Sequence, residues 1–188
     1  PCAFMDSYEA NKVFSSIDQY GRYAFSNQSR VAPWNLSRLA ETILFLISKN
    51  TSDAIKVVEE ILFDFDKNFN NSLDILTSRK LGFKNNSKKT SSLYSELLNL
   101  MEAGKADFTG TFKSLKATLI KEDDTIFFNN FRNSDEDNQH AVTQWLGNWR
   151  KLLKEDSESK TKVINLLSSS NPEFIMRNHL VEKAIGKA

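Results

Sequence analysis

Pro33-Trp34-Asn35-Leu36-Ser37-Arg38-Leu39-Ala40-Glu41-Thr42-Ile43-Leu44-Phe45-Leu46 decides the fold class. Leu36, Leu39, Ile43 and Leu46 recur at the spacing that puts apolar side chains on one face of an α-helix, and Pro33 suits a first helical turn. The same period continues down the chain. Thr51-Ser52-Asp53 offers capping side chains ahead of Val58, Ile61, Leu62, Phe65, Phe69, Leu73 and Leu76. That run predicts one unusually long helix ending near Arg79, the spine of the domain.

Gly82 to Lys89 is polar and basic and reads as a surface connection. Leu93, Leu97, Leu100 and Met101 then predict a helix up to Gly104, and Phe108, Phe112, Leu115 and Leu119 another despite the helix-weakening Gly110, the two forming a hairpin. Ser134-Asp135-Glu136-Asp137 is an acidic start signal for a helix carrying Val142, Trp145, Trp149, Leu152 and Leu153. Val163, Ile164 and Leu167 mark a shorter one, and Asn171-Pro172-Glu173 predicts a fresh helical turn. Residues 1 to about 32 are the one clearly non-helical region. No segment alternates apolar and polar long enough to demand a strand, and six Gly and three Pro are too few for all-β turn chemistry. The expected class is mainly α, one domain, with Pro1 and Ala188 read as cut ends of a larger protein.

A chain of 188 residues that is 40% hydrophobic can bury a core, and its 25 basic against 24 acidic side chains create no field that would draw in nucleic acid or an anionic membrane. Cys2 is the only cysteine, so an intrachain disulfide and a Cys-rich zinc site are excluded. A reducing compartment, cytoplasm or organelle matrix, fits, and no run approaches the length of a membrane helix.

Several constellations invite chemistry and fail its requirements. Asp64-Phe-Asp66-Lys-Asn68-Phe-Asn70 has the alternating oxygens of a calcium loop, but Phe69 stands where the turn needs Gly and Ile75 where a closing Glu belongs. His140 and His179 have no partner ligand at helical spacing. Glu122-Asp123-Asp124 and Ser134 to Asp137 read as solvated loops with helix-start acids, the basic cluster from Arg79 to Lys89 has only Phe83 as a stacking ring, and Trp34, Trp145 and Trp149 read as core. No catalytic, cofactor or metal residue is assigned within the chain. One dense stretch remains: Phe14-Ser15-Ser16-Ile17-Asp18, Gly21-Arg22-Tyr23-Ala24-Phe25, Asn27-Gln28, and Trp34 through Ala40. Arg22, Asn27, Gln28, Asn35 and Arg38 exceed what a helix entry needs, and next to Phe25 and Trp34 they predict a buried polar network holding a loop on a helix.

That stretch resembles the selenoprotein O type of protein adenylyltransferase. Three blocks carry the resemblance: Pro1-Cys2-Ala3-Phe4-Met5-Asp6 with Phe14 to Asp18; Gly21-Arg22-Tyr23 through Asn27-Gln28 to Trp34-Asn35-Leu36 and Arg38-Leu39-Ala40; and Asn171-Pro172 with Arg177-Asn178. Trp145-Leu146 and Trp149-Arg150 add weaker support. The sequence departs from the family pattern at Ser26, where Gly is common, at Ser29, where Pro commonly follows Asn-Gln, and at Trp149, where Tyr is common.

The resemblance implies a protein-kinase-like fold in which residues 1–32 are an activation-segment-like stretch and residues 33–188 a helical C-lobe portion. It implies ATP and Mg²⁺ as cofactors of the larger protein, transfer of AMP to Ser, Thr or Tyr hydroxyls, and proteins as substrates. The phosphate- and metal-binding residues of the family precede the position matching Pro1, so this chain alone is expected to be inactive and to bind no cofactor. Asp6, Asp18, Arg22, Asn27, Gln28, Trp34, Asn35, Arg38, Asn171, Arg177 and Asn178 are the implied positioning or structural residues. Two other readings stay open: a non-catalytic helical interaction module that binds a partner through Trp145 and Trp149, and a kinase-like phosphotransferase or pseudokinase.

Overall fold

A computed structural model of the protein describes residues 4–133, 135–156 and 158–187. Among them the elements are helical: α1 (Gln28–Ile47), α2 (Thr51–Phe63), α3 (Phe65–Lys80), α4 (Lys88–Ala103), α5 (Phe108–Lys121), α6 (Thr125–Phe128), α7 (Glu136–Glu155), α8 (Lys160–Ser170) and α9 (Asn178–Ile185), with a 3-10 turn at Phe25–Asn27. Local chemistry explains most starts. Asn50 Oδ1 accepts from Ser52 N at 3.0 Å, Asp107 from Gly110 N at 2.6 Å and Asp135 from Asn138 N at 2.8 Å. Ser87 and Thr90 close a reciprocal capping box ahead of α4. Each cap satisfies an amide the first helical turn leaves unbonded. Ser134 of the acidic start signal and Cys2 lie outside the described residues.

Two units compose the chain: Pro1–Glu9 with Asp74–Ala188, and Ala10–Leu73. Neither edge falls at residue 32.

In the first unit, α4 packs chiefly on α7, and α5 on α6 and α8. The expected α4–α5 hairpin is therefore replaced by pairings with later helices. The reason is the indole ladder on α7: Trp145 Nε1 donates to Leu93 O and Trp149 Nε1 to Leu81 O, both at 2.8 Å, while the two rings stack with centroids 6.1 Å apart. Buried rings with satisfied N–H groups anchor α7 against α4 and the 81–83 segment. Trp145 and Trp149 are 2% and 0% exposed, so the partner-binding face that the interaction-module reading needs is core. Phe83, read as part of a surface connection, is likewise buried.

In the second unit α1 and α2 pack together. α1 begins at Gln28, so Pro33 sits inside the helix rather than in its first turn. The cost is one hydrogen bond near the end, where few are yet made. The long predicted helix is interrupted at Asp64, dividing α2 from α3. It is not the spine of a core: Ile61, Leu73 and Leu76 are exposed. Within Ala10–Leu73 only Ala24 and Ala54 are buried hydrophobics, whereas Leu39, Phe45, Leu46 and Phe63 stand open. By the area rule, this unit gains little from burial within the chain.

Candidate functional site

Residues 5–9 run extended along the α4–α5 connection. Tyr8 N donates to Ala106 O at 2.8 Å, Phe108 N donates to Asp6 O at 2.7 Å, and Ser7 forms an isolated antiparallel bridge with Asp107. Met5 and Tyr8 are buried, and Tyr8 stacks on Phe108 with centroids 5.7 Å apart.

Asp6 meets Arg177, 171 residues away in sequence. Arg177 Nη1 lies 2.5 Å from Asp6 Oδ1, and its two nitrogens fork onto Asp107 at 2.6 and 3.0 Å. Two carboxylates around one planar guanidinium form charge-assisted bonds of defined geometry. The hydrogen bonds to Asp107, and then those to Asp6, raise the Arg177 pKa further above its ordinary value against partial burial. Asp107 has a second task, since Oδ1 also caps α5. Gly110 makes room for this: a Cβ there would lie 2.3 Å from Asn130 Oδ1 and 2.9 Å from Asp107 Oδ1. The glycine that weakens α5 on propensity is thus required by its packing.

Behind Tyr8 lies an aromatic row, Phe108 to Phe112 to Tyr94, with successive centroids 5.3 and 5.8 Å apart. Burial pushes the Tyr8 and Tyr94 hydroxyls up, with smaller contributions from Glu102 on Tyr8 and from Tyr8 on Tyr94. Lys80 Nζ sits 4.5 Å from the Phe112 centroid and donates to Asn171 Oδ1 at 3.1 Å. Burial lowers its pKa to about 8. The predicted helical turn at Asn171 does not form. Asn171 instead ends α8, its side chain is committed to Lys80, and the chain stays irregular until α9 begins at Asn178.

The second cluster belongs wholly to the Ala10–Leu73 unit. Asp18 accepts from Arg22 N and Tyr23 N, each at 2.8 Å, closing a turn that Gly21 permits with φ +67°. Asn27 Nδ2 donates to Gly21 O at 2.9 Å. The Arg22 guanidinium lies 4.5 Å from the Trp34 ring centroid and 5.6 Å from that of Tyr23, and Arg38 is 5.8 Å from Trp34. Of the five residues expected to form a buried polar network, Asn27 bonds the loop, Arg22 and Arg38 meet the Trp34 ring, and the group is not buried: Trp34, expected in a core, is 50% exposed, and Arg22, Gln28, Asn35 and Arg38 are exposed. Among the described residues of this unit, no side-chain hydrogen bond joins Gln28 or Asn35 to it.

Asp107, Lys80 and Gly110 are the residues that sequence reading missed. An Asp one step before an apolar-periodic helix is a capping signal, but nothing local reports its long-range partner. The acidic run at 122–124 is spent on neighbours. Asp124 takes both nitrogens of Arg150, while Lys160 pairs with Glu122 and Thr125 with Asp123, each holding its carboxyl below the usual range. Among the described residues no group of three His, Cys, Asp or Glu is placed to hold a metal ion. No helix there is long and apolar enough to cross a membrane.

The sequence model of the family described as protein adenylyltransferase SelO matches residues 1–188. The chain is 41% identical over 188 residues to the protein nucleotidyltransferase YdiU of Clostridium botulinum, covering 100% of this chain and 36% of that protein. It is 40% identical over 185 residues to the YdiU of Pelagibacter ubique, and 38% identical over 188 residues to that of Brevibacillus brevis, covering 98% and 100% of this chain and again 36% of each relative. The chain thus spans little more than a third of the curated relatives it matches.

Proposed function

The chain belongs to the protein adenylyltransferase SelO family, and on that premise we propose that it is the activation-segment and C-lobe portion of a kinase-like enzyme that transfers AMP from ATP to protein hydroxyls. The observation that carries this reading is the grip of Arg177 on Asp6 and Asp107. It fixes the very stretch that the resemblance puts directly after the metal-binding motif, and it does so from the far end of the chain. A segment beside a reacting phosphate must be held still, because misplacement by an ångström is costly in rate. Two carboxylates on one planar guanidinium supply that kind of restraint.

Mg²⁺ does not fit the carboxylates that these clusters bring together. Metal binding asks for carboxylates free to meet a cation. Here Asp6 and Asp107 are given to Arg177, Asp18 to two backbone amides and Asp124 to Arg150. Nucleotide and metal would be held by the part of the longer protein outside this chain, and no reaction step is assigned to its side chains. The open apolar side chains of α1 and α2 agree with such a supporting role, as surfaces for the other two thirds of a full-length protein. The reading sets the enzyme in cytoplasm or an organelle matrix, with Ser, Thr or Tyr hydroxyls as acceptors.

The test is label transfer by a full-length protein containing this chain. ATP tagged on its α-phosphate should label protein acceptors, and ATP tagged on its γ-phosphate should not. Transfer of the γ label instead would make the protein a phosphotransferase and overturn the proposal. Mg²⁺-dependent micromolar ATP binding by this chain alone would overturn the placement of the nucleotide site.

A further inference from the structure

The Asp18 turn leaves one cation in an unusual position. Arg22 is held at both ends: its backbone N–H donates to Asp18, and its guanidinium carbon sits over Trp34, 4.5 Å from the ring centroid. Yet among the described residues its side chain makes no hydrogen bond or ion pair, so its planar set of donors faces outward unclaimed. Arg30 and Arg38 follow Trp34's own side of α1. Positions 30, 34 and 38 are four apart, which at about 100° per residue keeps them on one stripe. The apolar stripe of Leu36, Leu39, Ile43 and Leu46 falls on the opposite side, so covering that stripe leaves the arginine face open. Arg38 is the one already paired, with Glu41.

Charge follows the same division. Residues 10–41 carry Lys12, Arg22, Arg30 and Arg38 against Asp18 and Glu41; both Asp18 oxygens are occupied by amides, and Glu41, on the arginine stripe, is taken by Arg38, which leaves Arg22 and Arg30 as the cations of the face. Beside the turn, Ile17 and Tyr20 are 89% and 96% exposed. An exposed isoleucine and tyrosine in the turn that carries a guanidinium over an indole are the composition of a recognition face, and a planar guanidinium suits a carboxylate in two-point contact.

We propose that Arg22 on Trp34, flanked by Arg30 and Arg38, is a docking face for acidic segments of protein substrates, so that acceptor hydroxyls near glutamates or aspartates are preferred. The proposal rests on the adenylyltransferase reading for its biological use, but the binding itself does not. The occupant is a polypeptide: the face sets two guanidinium groups, unpaired among the described residues, near exposed tyrosine and isoleucine side chains, not along a basic groove tracking a phosphate backbone.

The experiment uses a full-length protein containing this chain and three fluorescent serine peptides of equal length, flanked by glutamates, glutamines or lysines. Anisotropy without ATP should show the glutamate peptide binding about tenfold more tightly than the glutamine peptide, the advantage expected of one charge-assisted contact pair, and added salt should erode it. Arg22→Glu should transfer the preference to the lysine peptide, and Arg22→Gln and Arg30→Gln should each flatten it, with thermal midpoints unchanged. In AMP transfer the same variants should raise KM for the glutamate peptide and leave kcat in place. Equal binding of the three peptides, or a preference that Arg22→Glu does not move, overturns the docking face. Displacement of the glutamate peptide by single-stranded RNA at lower concentration than by the unlabelled peptide also overturns it. A glutamate preference without AMP transfer to any acceptor upholds the docking face and overturns the adenylyltransferase reading. AMP transfer indifferent to acidic flanks does the reverse.

Discussion

Lys80 and Asn171, 91 residues apart, exchange two hydrogen bonds: the Lys80 ammonium donates to Asn171 Oδ1 at 3.1 Å, and Asn171 Nδ2 donates to Lys80 O at 2.9 Å. The pair joins the end of α3 to the end of α8. Asn171→Ala removes both bonds and leaves a largely buried ammonium with only aromatic faces beside it. The expected loss is about 1–3 kcal/mol, the cost of orphaning buried polar groups, read as a lower denaturant midpoint at unchanged slope. Asn171→Asp should recover part of the loss, because a carboxylate opposite the ammonium compensates its burial.

The same lysine makes stability depend on pH. Its folded pKa of about 8 lies below the ordinary 10.5, so between those values the unfolded chain binds the extra proton. Stability therefore rises as pH climbs from about 8 toward 10.5, and the full penalty is present below pH 8. Upward shifts at Tyr8 and Tyr94 act oppositely, since the native state then keeps protons that the unfolded tyrosines lose, but only at and above pH 10. Denaturation between pH 8 and 9.5 should show a gain on the order of 1–2 kcal/mol that Lys80→Met abolishes.

Gly110→Ala should destabilise although alanine is the better helix former. The new methyl would lie within 2.3 Å of Asn130 Oδ1. Overpacking of this kind costs about 1–3 kcal/mol, against a propensity gain of about 1 kcal/mol. Adding Asn130→Ala should restore part of the thermal midpoint, and a double-mutant cycle measures the coupling.

Much of the helical plan was legible because it is local. α4, α5, α7 and α8 each combine a capping side chain with an apolar stripe, and the residues of both lie within one or two turns of each other. Partners across the chain left no such trace. Nothing near Asn171 announces Lys80, and its Asn-Pro pair imitates a helix start so well that the wrong element was expected. The stripe from Val58 to Leu76 has the period of a core helix, yet its open face shows that period reports amphipathicity and not what covers it. Trp34 misled in the same way: an indole that would be buried in most cores instead carries Arg22 on its face.

Arg177→Ala should loosen the N-terminal stretch before it unfolds the helices. Asp6 is 41% exposed and Asp107 25%, so solvent screens part of the interaction and the expected loss is about 1–3 kcal/mol. Hydrogen exchange at the Tyr8 and Phe108 amides should accelerate, while amides in the middle of α7 keep their protection. Arg177→Lys should behave nearly as badly, since a point charge cannot reproduce the fork on Asp107.

The central claim joins the family reaction to that anchor, and one measurement addresses both. A full-length protein containing this chain is given ATP tagged on its α-phosphate, with and without Arg177→Ala, at a temperature where melting shows both proteins folded. The account predicts label on protein acceptors for the unaltered protein and a fall of about tenfold or more in kcat for the variant, the scale expected when a restrained segment near the reacting groups is released. Label transferred equally well by the variant would contradict the role given to Arg177 and Asp6, and absence of any α-phosphate transfer by the unaltered protein would contradict the function itself.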